Sequence, residues 1–300
     1  MSPPPRRPIL VGVDGSAAAL AAVRWAAHDA ALRQVPLILI HVIDSPIPGR
    51  SQVPVLADFR QWQEGRARGF IKSAVDVAQE CTGDHDPVQI DSRLIHSAMV
   101  PTLVDLSKEA QMVVVGYRGH GGTLVRSFLG SVSSGLVYHA HCPVAVIHDN
   151  EPLVTDVARA PVLVGIDGSS ASEAATSIAF EEASRRGVGL IALHAWTDLR
   201  VSSDFKNWFP KVDWDAQLAD QEETLAERLA GWRERYPDVG IHSRIEIGDP
   251  ASPLLDASER AQLIVVGSHG RGGFAGMLLG SVGAAVVNRA KIPVIVARQS

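Results

Sequence analysis

The chain reads as an α/β protein of two tandem domains, each a five-stranded parallel sheet with helices on both faces in a Rossmann-like arrangement. Three observations predict this class. Short β-branched runs alternate with longer alanine-rich stretches, the pattern of β-strands joined by helical crossovers. Several of those runs are apolar without interruption, as expected of strands covered on both faces. The pattern also occurs twice: Ile9-Leu-Val-Gly-Val-Asp-Gly-Ser16 returns as Val162-Leu-Val-Gly-Ile-Asp-Gly-Ser169, and Val113-Val-Val-Gly116 through Gly130-Ser131 returns as Ile264-Val-Val-Gly267 through Gly280-Ser281. The pairs Asp14/Asp167, His41/His194, Gly116/Gly267 and Pro143/Pro293 keep nearly one offset, so the register drifts only by small loop changes. A period near half the chain marks a duplicated domain rather than a solenoid.

In the first half the apolar runs fall at 9–13, 37–42, 88–95, 112–115 and 144–147. Between them, 17–32 carries apolar residues at helical spacing, followed by helical stretches at 62–80, 100–110 and 132–140. The second half repeats the series, and Ser170-Ala-Ser-Glu173 reads as a capping box for its first helix. The domains are placed at 1–150 and 161–300, with a polar linker at 151–160 that lacks periodicity. The halves differ most after the second strand: 44–58 is proline-rich, whereas 197–215 carries Phe205, Trp208, Phe209 and Trp214. Such loops lie beside the carboxyl ends of the strands, where an open α/β sheet holds its ligand, so the difference gives the halves different lids. The favoured reading instead packs these aromatics at the domain interface, where Trp and Phe are common.

Three hundred residues are enough for two ordinary cores. Net charge is −5 and no Lys/Arg stripe is present, which removes the electrostatic basis for general nucleic-acid affinity. Cys81 and Cys142, the two cysteines, form no CxxC pair; a reducing, cytoplasmic setting is expected. Residues 1–8 contain two arginines but run straight into a short strand, so they read as a flexible leader and no membrane anchor is expected.

The chemistry concentrates in the glycine loops. Gly267-Ser-His-Gly-Arg-Gly-Gly-Phe-Ala-Gly-Met-Leu-Leu-Gly280-Ser281 follows a strand and precedes a helix. Glycines admit close backbone approach, successive amides can cradle phosphate oxygens, and the helix directs its positive end at them. Arg271 adds a cation. The Gly-Lys-Ser/Thr ending of a P-loop is absent, and the GxGxxG/A match at Gly270–Ala275 lies after the fourth strand without the acidic residue of a dinucleotide site.

The pattern Gly-x2-Gly-x9-Gly-Ser, with an Asp closing strand one and a His closing strand two, resembles the ATP-binding branch of the universal stress protein family. The resemblance spans nearly the whole chain as two tandem copies and looks closest to tandem members of mycobacteria. It implies that Asp167 and Ala195 lie at the adenosine and that Gly267, Gly270, Gly280 and Ser281 hold the phosphates. Arg271, Gly272, Gly273 and Val282 belong to the same loop and helix start, with Gly165 and Asp198 on the rim. The corresponding first-half set is Asp14, Val42, Gly116, Gly119, Gly130 and Ser131, with Gly12, Gly121, Gly122, Arg126 and Val132 alongside. There ten residues instead of nine separate Gly119 from Gly130, so that loop must bulge by one residue.

Plainer readings compete. Asp-Gly-Ser is good turn and helix-cap chemistry by itself. His41 and His194 sit within apolar strands and read as satisfied core histidines. His139, His141 and Cys142 could form a metal set, but the aligned residues are Arg289, Lys291 and Ile292, so no metal site is assigned. Gly130-Ser-Val-Ser-Ser-Gly135 is not GxSxG, and no catalytic set emerges.

The resemblance therefore implies a regulator that binds ATP with Mg²⁺, turns it over little or not at all, and acts in stress response and growth control through a protein partner the sequence does not name. It also implies pairing through the last strand of each half and a homodimer of tandem chains. Two alternatives stand: an ATP-cleaving or adenylate-transferring enzyme of the related α/β group, and an interaction scaffold with vestigial sites.

Overall fold

The structure is a computed structural model and describes residues 6–44, 54–82, 88–119, 129–148, 156–196, 214–270 and 279–298. Two compact units divide the chain, Met1–Asp149 and Asn150–Gln299. The first contains β1 (Ile9–Gly12), α1 (Ala17–Arg33), β2 (Leu37–Ile43), α2 (Pro54–Thr82), β3 (Ile90–His96), α3 (Met99–Leu106), β4 (Met112–Gly116), α4 (Ser131–His139) and β5 (Val144–Ile147). The second contains β6 (Val162–Gly165), α5 (Ser170–Arg186), β7 (Leu190–Trp196), α6 (Trp214–Arg235), β8 (Ile241–Ile247), α7 (Ala251–Ser258), β9 (Leu263–Gly267), α8 (Ser281–Arg289) and β10 (Val294–Ala297).

Within the first unit the strands run parallel in the order β3-β2-β1-β4-β5, with Ile9 registered to Leu37 on one side and Met112 on the other. The second unit repeats the order as β8-β7-β6-β9-β10, with Val162 between Leu190 and Leu263. Right-handed crossovers explain the layers. The chain steps from β1 outward to β2 and β3, which places α1 and α2 on one face, then returns to β4 and β5, which places α3 and α4 on the other. At the reversal, β1 and β4 are neighbours whose chains leave in opposite directions, and a crevice opens above their carboxyl ends.

Strand composition follows this burial. Ile9, Val11, Leu37, Leu39, Val113 and Val114 are fully buried. Helix α1 presents Ala22, Ala26, Ala27 and Ala30, all at zero exposure, so it approaches the sheet closely. At the position of Ala27, α5 carries Phe180, which stacks on Trp232 and Tyr236 of α6 with ring centroids 5.6 Å from each. Each first helix also buries an ion pair near its end: Arg33 to Asp29 at 2.7 Å and Arg186 to Glu182 at 2.8 Å.

Several elements depart from expectation. Helix α2 begins at Pro54, not near residue 62, because proline is favoured in a first helical turn, where its missing N–H costs nothing. Helix α6 likewise takes in residues 214 and 215. The stretch expected as helix at 100–110 is α3 followed by a single 3₁₀ turn at Ser107–Glu109. The cap of α5 is Ser169 rather than Ser170, since the Asp167 carboxylate holds the Ser169 N–H and sets the helix start one residue earlier. Of the linker, residues 156–160 contain a 3₁₀ turn at Val157–Arg159 that is tied down where Gln262 Nε2 donates to Ala160 O at 2.5 Å. Phe205, Trp208 and Phe209 lie outside the described residues.

Candidate functional site

In each unit the crevice is built by the turn after the first strand and the loop after the fourth. Asp14 follows β1, and its Oδ1 accepts the Ser16 N–H at 2.9 Å. That turn passes through Gly15 at φ +80°, a conformation favouring glycine, and delivers Ser16 as the cap of α1, where its Oγ accepts the Ala19 N–H at 3.1 Å. The other carboxylate oxygen, Oδ2, lies so close to Gly119 that a Cβ there would collide with it. Gly116 ends β4 against the first turn of α1, where a Cβ would stand 2.7 Å from the Ala18 carbonyl carbon. Gly130 then donates to Tyr117 O at 3.0 Å and Ser133 Oγ to Gly116 O at 2.7 Å, fixing the start of α4 against the end of β4.

The second unit repeats this construction. Asp167 Oδ1 accepts the Ser169 N–H at 2.9 Å, and a Cβ on Gly270 would stand 2.6 Å from Asp167 Oδ2. A Cβ on Gly267 would stand 2.9 Å from the Ala171 carbonyl carbon, and Gly280 donates to Ser268 O at 2.7 Å. The N-caps of α4 and α8 are Gly130 and Gly280, with no side-chain cap hydrogen bond. First-turn amides of a helix lack intrahelical partners, so both starts offer N–H groups and a positive dipole end beside the glycine loop.

The structure thus brings together Asp14, Gly116, Gly119, Gly130, Ser131 and Val132 in one unit and Asp167, Gly267, Gly270, Gly280, Ser281 and Val282 in the other. Val42 and Ala195 stand near the ends of the neighbouring strands, opposite Ile95 and Glu246. Gly12 and Gly165 pack inward instead, the first against Val115 and Leu103 and the second against Leu254. Gly121, Gly122, Arg126, Asp198, Arg271, Gly272 and Gly273 lie outside the described residues. His41 Nδ1 bonds Val13 O at 2.6 Å and His194 Nδ1 bonds Ile166 O at 2.6 Å, so both rings serve the backbone at the strand ends.

Some contributors were not legible from spacing. Ser16 Oγ and Ser169 Oγ tie the helix starts to Arg118 O and His269 O across the crevice, at 3.5 and 3.3 Å. Ser172 Oγ accepts the Asp167 and Gly168 N–H groups at 3.3 and 3.1 Å. The wall from the long helix also differs: Phe70 of α2 fills the space against Gly15, 5.7 Å from the His41 ring, whereas Arg228 of α6 occupies the corresponding space against Gly168. Among the described residues no three His, Cys, Asp or Glu side chains are grouped to hold a metal ion, and no helix is long and apolar enough to cross a membrane.

A parallel α/β unit with an Asp turn facing a glycine loop at its switch point, present twice, defines a tandem protein of the doubly wound class. The universal stress protein family profile matches residues 5–148 and 159–298, so each unit carries one copy, and the chain belongs to that family. It is 51% identical over 292 residues to a universal stress protein of Mycobacterium tuberculosis, covering 97% of this chain and 96% of the relative. A universal stress protein of Mycolicibacterium smegmatis is 49% identical over 290 residues, with 97% and 96% covered. The crystal structure of a universal stress protein from Archaeoglobus fulgidus shares the fold at TM-score 0.68 and 20% identity, covering 98% of this chain and 99% of that one.

Proposed function

We propose that this universal stress protein binds ATP at both crevices and acts as a nucleotide-dependent regulator in stress response and growth control, with little or no hydrolysis. The observation that carries the reading is the repeated contact between the strand-one carboxylate and the second loop glycine, made by Asp14 with Gly119 and by Asp167 with Gly270. It joins the residues expected at the nucleoside to the loop expected at the phosphates. The amides at the starts of α4 and α8 complete an anion site. Among the described residues the groups beside the loop include backbone amides, the Ser16 and Ser169 hydroxyls and a carboxylate already engaged by its own turn, a set suited to holding a ligand.

Mg²⁺ fits this arrangement as an ion carried by the phosphates, since it keeps several waters and few protein ligands. Ser131 and Ser281, the first residues of α4 and α8, would supply hydroxyl ligands to it. Regulation requires ATP to favour one conformation or partner complex over another. The proposal extends to a cytoplasmic homodimer of tandem chains, which light scattering at rising concentration tests: a mass that stays at one chain rejects it.

Calorimetric titration of ATP into the wild type, Asp14→Ala and Asp167→Ala tests the central claim. Two sites are expected, each lost with its own substitution. Binding untouched by both substitutions together would remove the assignment.

A further inference from the structure

We propose that Arg228 is a ligand-contacting residue of the second unit alone, donating a hydrogen bond to an acceptor on the nucleoside part of the bound nucleotide; this rests on the nucleotide-binding reading above. The argument begins from the duplication. Gly15 and Gly168 occupy the same place in the two turns, at φ +80° and +76°. Against Gly15 lies the ring of Phe70, tilted against His41 with ring centroids 5.7 Å apart. Against Gly168 lies the guanidinium of Arg228, whose Nη atoms would both stand 2.5 Å from a Cβ at that position. The space against the turn glycine is thus filled by a phenyl ring in the first unit and by a guanidinium in the second.

That cation is incompletely satisfied. Arg228 Nη1 is buried and has no hydrogen-bond partner among the described residues. A buried donor left unmet costs stability, so its retention calls for a partner that arrives with a ligand. The same stripe of α6 carries a second such group. Gln217, Gln221, Thr224 and Arg228 recur at the three- and four-residue spacing that places side chains on one helix face. Gln221 Oε1 lies 3.3 Å from His194 Nε2, and Gln217 Oε1 is buried without a partner among the described residues. The corresponding face of α2 is aromatic and carries one cation engaged by the rings: Phe59 and Trp62 stack at 5.8 Å, and Arg66 lies over Trp62 and Phe70 at 4.9 and 5.3 Å.

Strand order fixes which part of the ligand Arg228 meets. The glycine loop comes from β9 and α6 follows β7, and these strands flank β6 on opposite sides. Arg228 thus approaches the Asp167 turn from the side away from the phosphate loop, where Asp167 and Ala195 are placed at the nucleoside. Guanidinium donors bond nucleoside oxygens and ring nitrogens well, and burial strengthens the bond.

The test uses the full chain in an Asp14→Ala background, so that calorimetry reads the second site, with ATP, adenosine and inorganic tripolyphosphate as probes. Arg228→Phe imports the first unit's solution, and Arg228→Met keeps the aliphatic length without donors. Both variants are expected to weaken ATP and adenosine at least tenfold, to leave tripolyphosphate unchanged, and to melt without ligand at or above the parent's temperature. Wild-type affinity in Arg228→Met would make Arg228 a packing residue and overturn the proposal, as would loss of tripolyphosphate with adenosine unaffected. If Arg228→Phe melts lower, Arg228→Met decides by the same criterion. A parent that binds neither ATP nor adenosine would overturn the nucleotide reading and this proposal together, a result distinct from binding that ignores Arg228.

Discussion

Glycines three positions apart in the same motif do different work, and alanine substitution separates them. At Gly267 a new Cβ meets the backbone of Ala171, which cannot move without shifting α5, so Gly267→Ala is expected to cost about 1–3 kcal/mol of stability. At Gly270 it meets the outer oxygen of Asp167, the end of a side chain that can turn away. Gly270→Ala should therefore lower stability by less than about 1 kcal/mol while displacing the carboxylate and weakening ATP binding at that site. Denaturant midpoints and calorimetry on the two variants check this; a Gly270→Ala protein with unchanged affinity would mean the carboxylate position is irrelevant to the ligand. Spacing announced both glycines equally, because a motif records where backbone must be bare and not what stands opposite it.

Helix ends tell a similar story one level up. Both first helices end in a left-handed residue, Gly187 at φ 63° in the second unit and Gln34 at φ 54° in the first. A side chain in that region costs of order 1 kcal/mol relative to glycine, so Gln34→Gly is expected to stabilise the protein by roughly 0.5–1 kcal/mol, read as a higher denaturant midpoint. A lower midpoint would show that the Arg6 contacts to Arg33 O and Gln34 O, at 3.3 and 3.2 Å, depend on the native turn. The pairs buried on these helices act with the opposite sign. Glu182 is fully buried and its partner Arg186 nearly so, hence Glu182→Ala breaks a buried ion pair and is expected to cost about 3–5 kcal/mol. Alternating runs and helical spacing placed the strands and α-helices described in the first unit and their repeat in the second, because burial on two faces or one stripe writes itself into local pattern. The start of α2, the Ser169 cap and the Phe70/Arg228 exchange escaped, since each is decided by a partner distant in sequence or by a turn one residue upstream. Equal glycine spacing made the crevices look alike; their walls, drawn from the least similar segments, are where they diverge.

At the scale of the whole chain, two crevices on two units make ligand occupancy a stability measurement. A ligand that binds only the folded state adds RT ln(1 + [L]/Kd), about 2.7 kcal/mol when its concentration is a hundred times Kd. Each unit carries one crevice, so the gain expected from ATP divides between the two sites. Thermal unfolding with excess ATP and Mg²⁺ should therefore be delayed in the wild type and delayed in part in Asp14→Ala and in Asp167→Ala. In the double variant ATP should cause no shift at all. Asp14 and Asp167 also hold the Ser16 and Ser169 amides, at 2.9 Å in both cases, so each substitution lowers the ligand-free baseline too. The shift on adding ATP, not the absolute temperature, is the quantity that reports binding. A double variant still protected by ATP would place the ligand elsewhere, and single variants that each abolish the whole effect would mean the duplicated crevices act as one site instead of two.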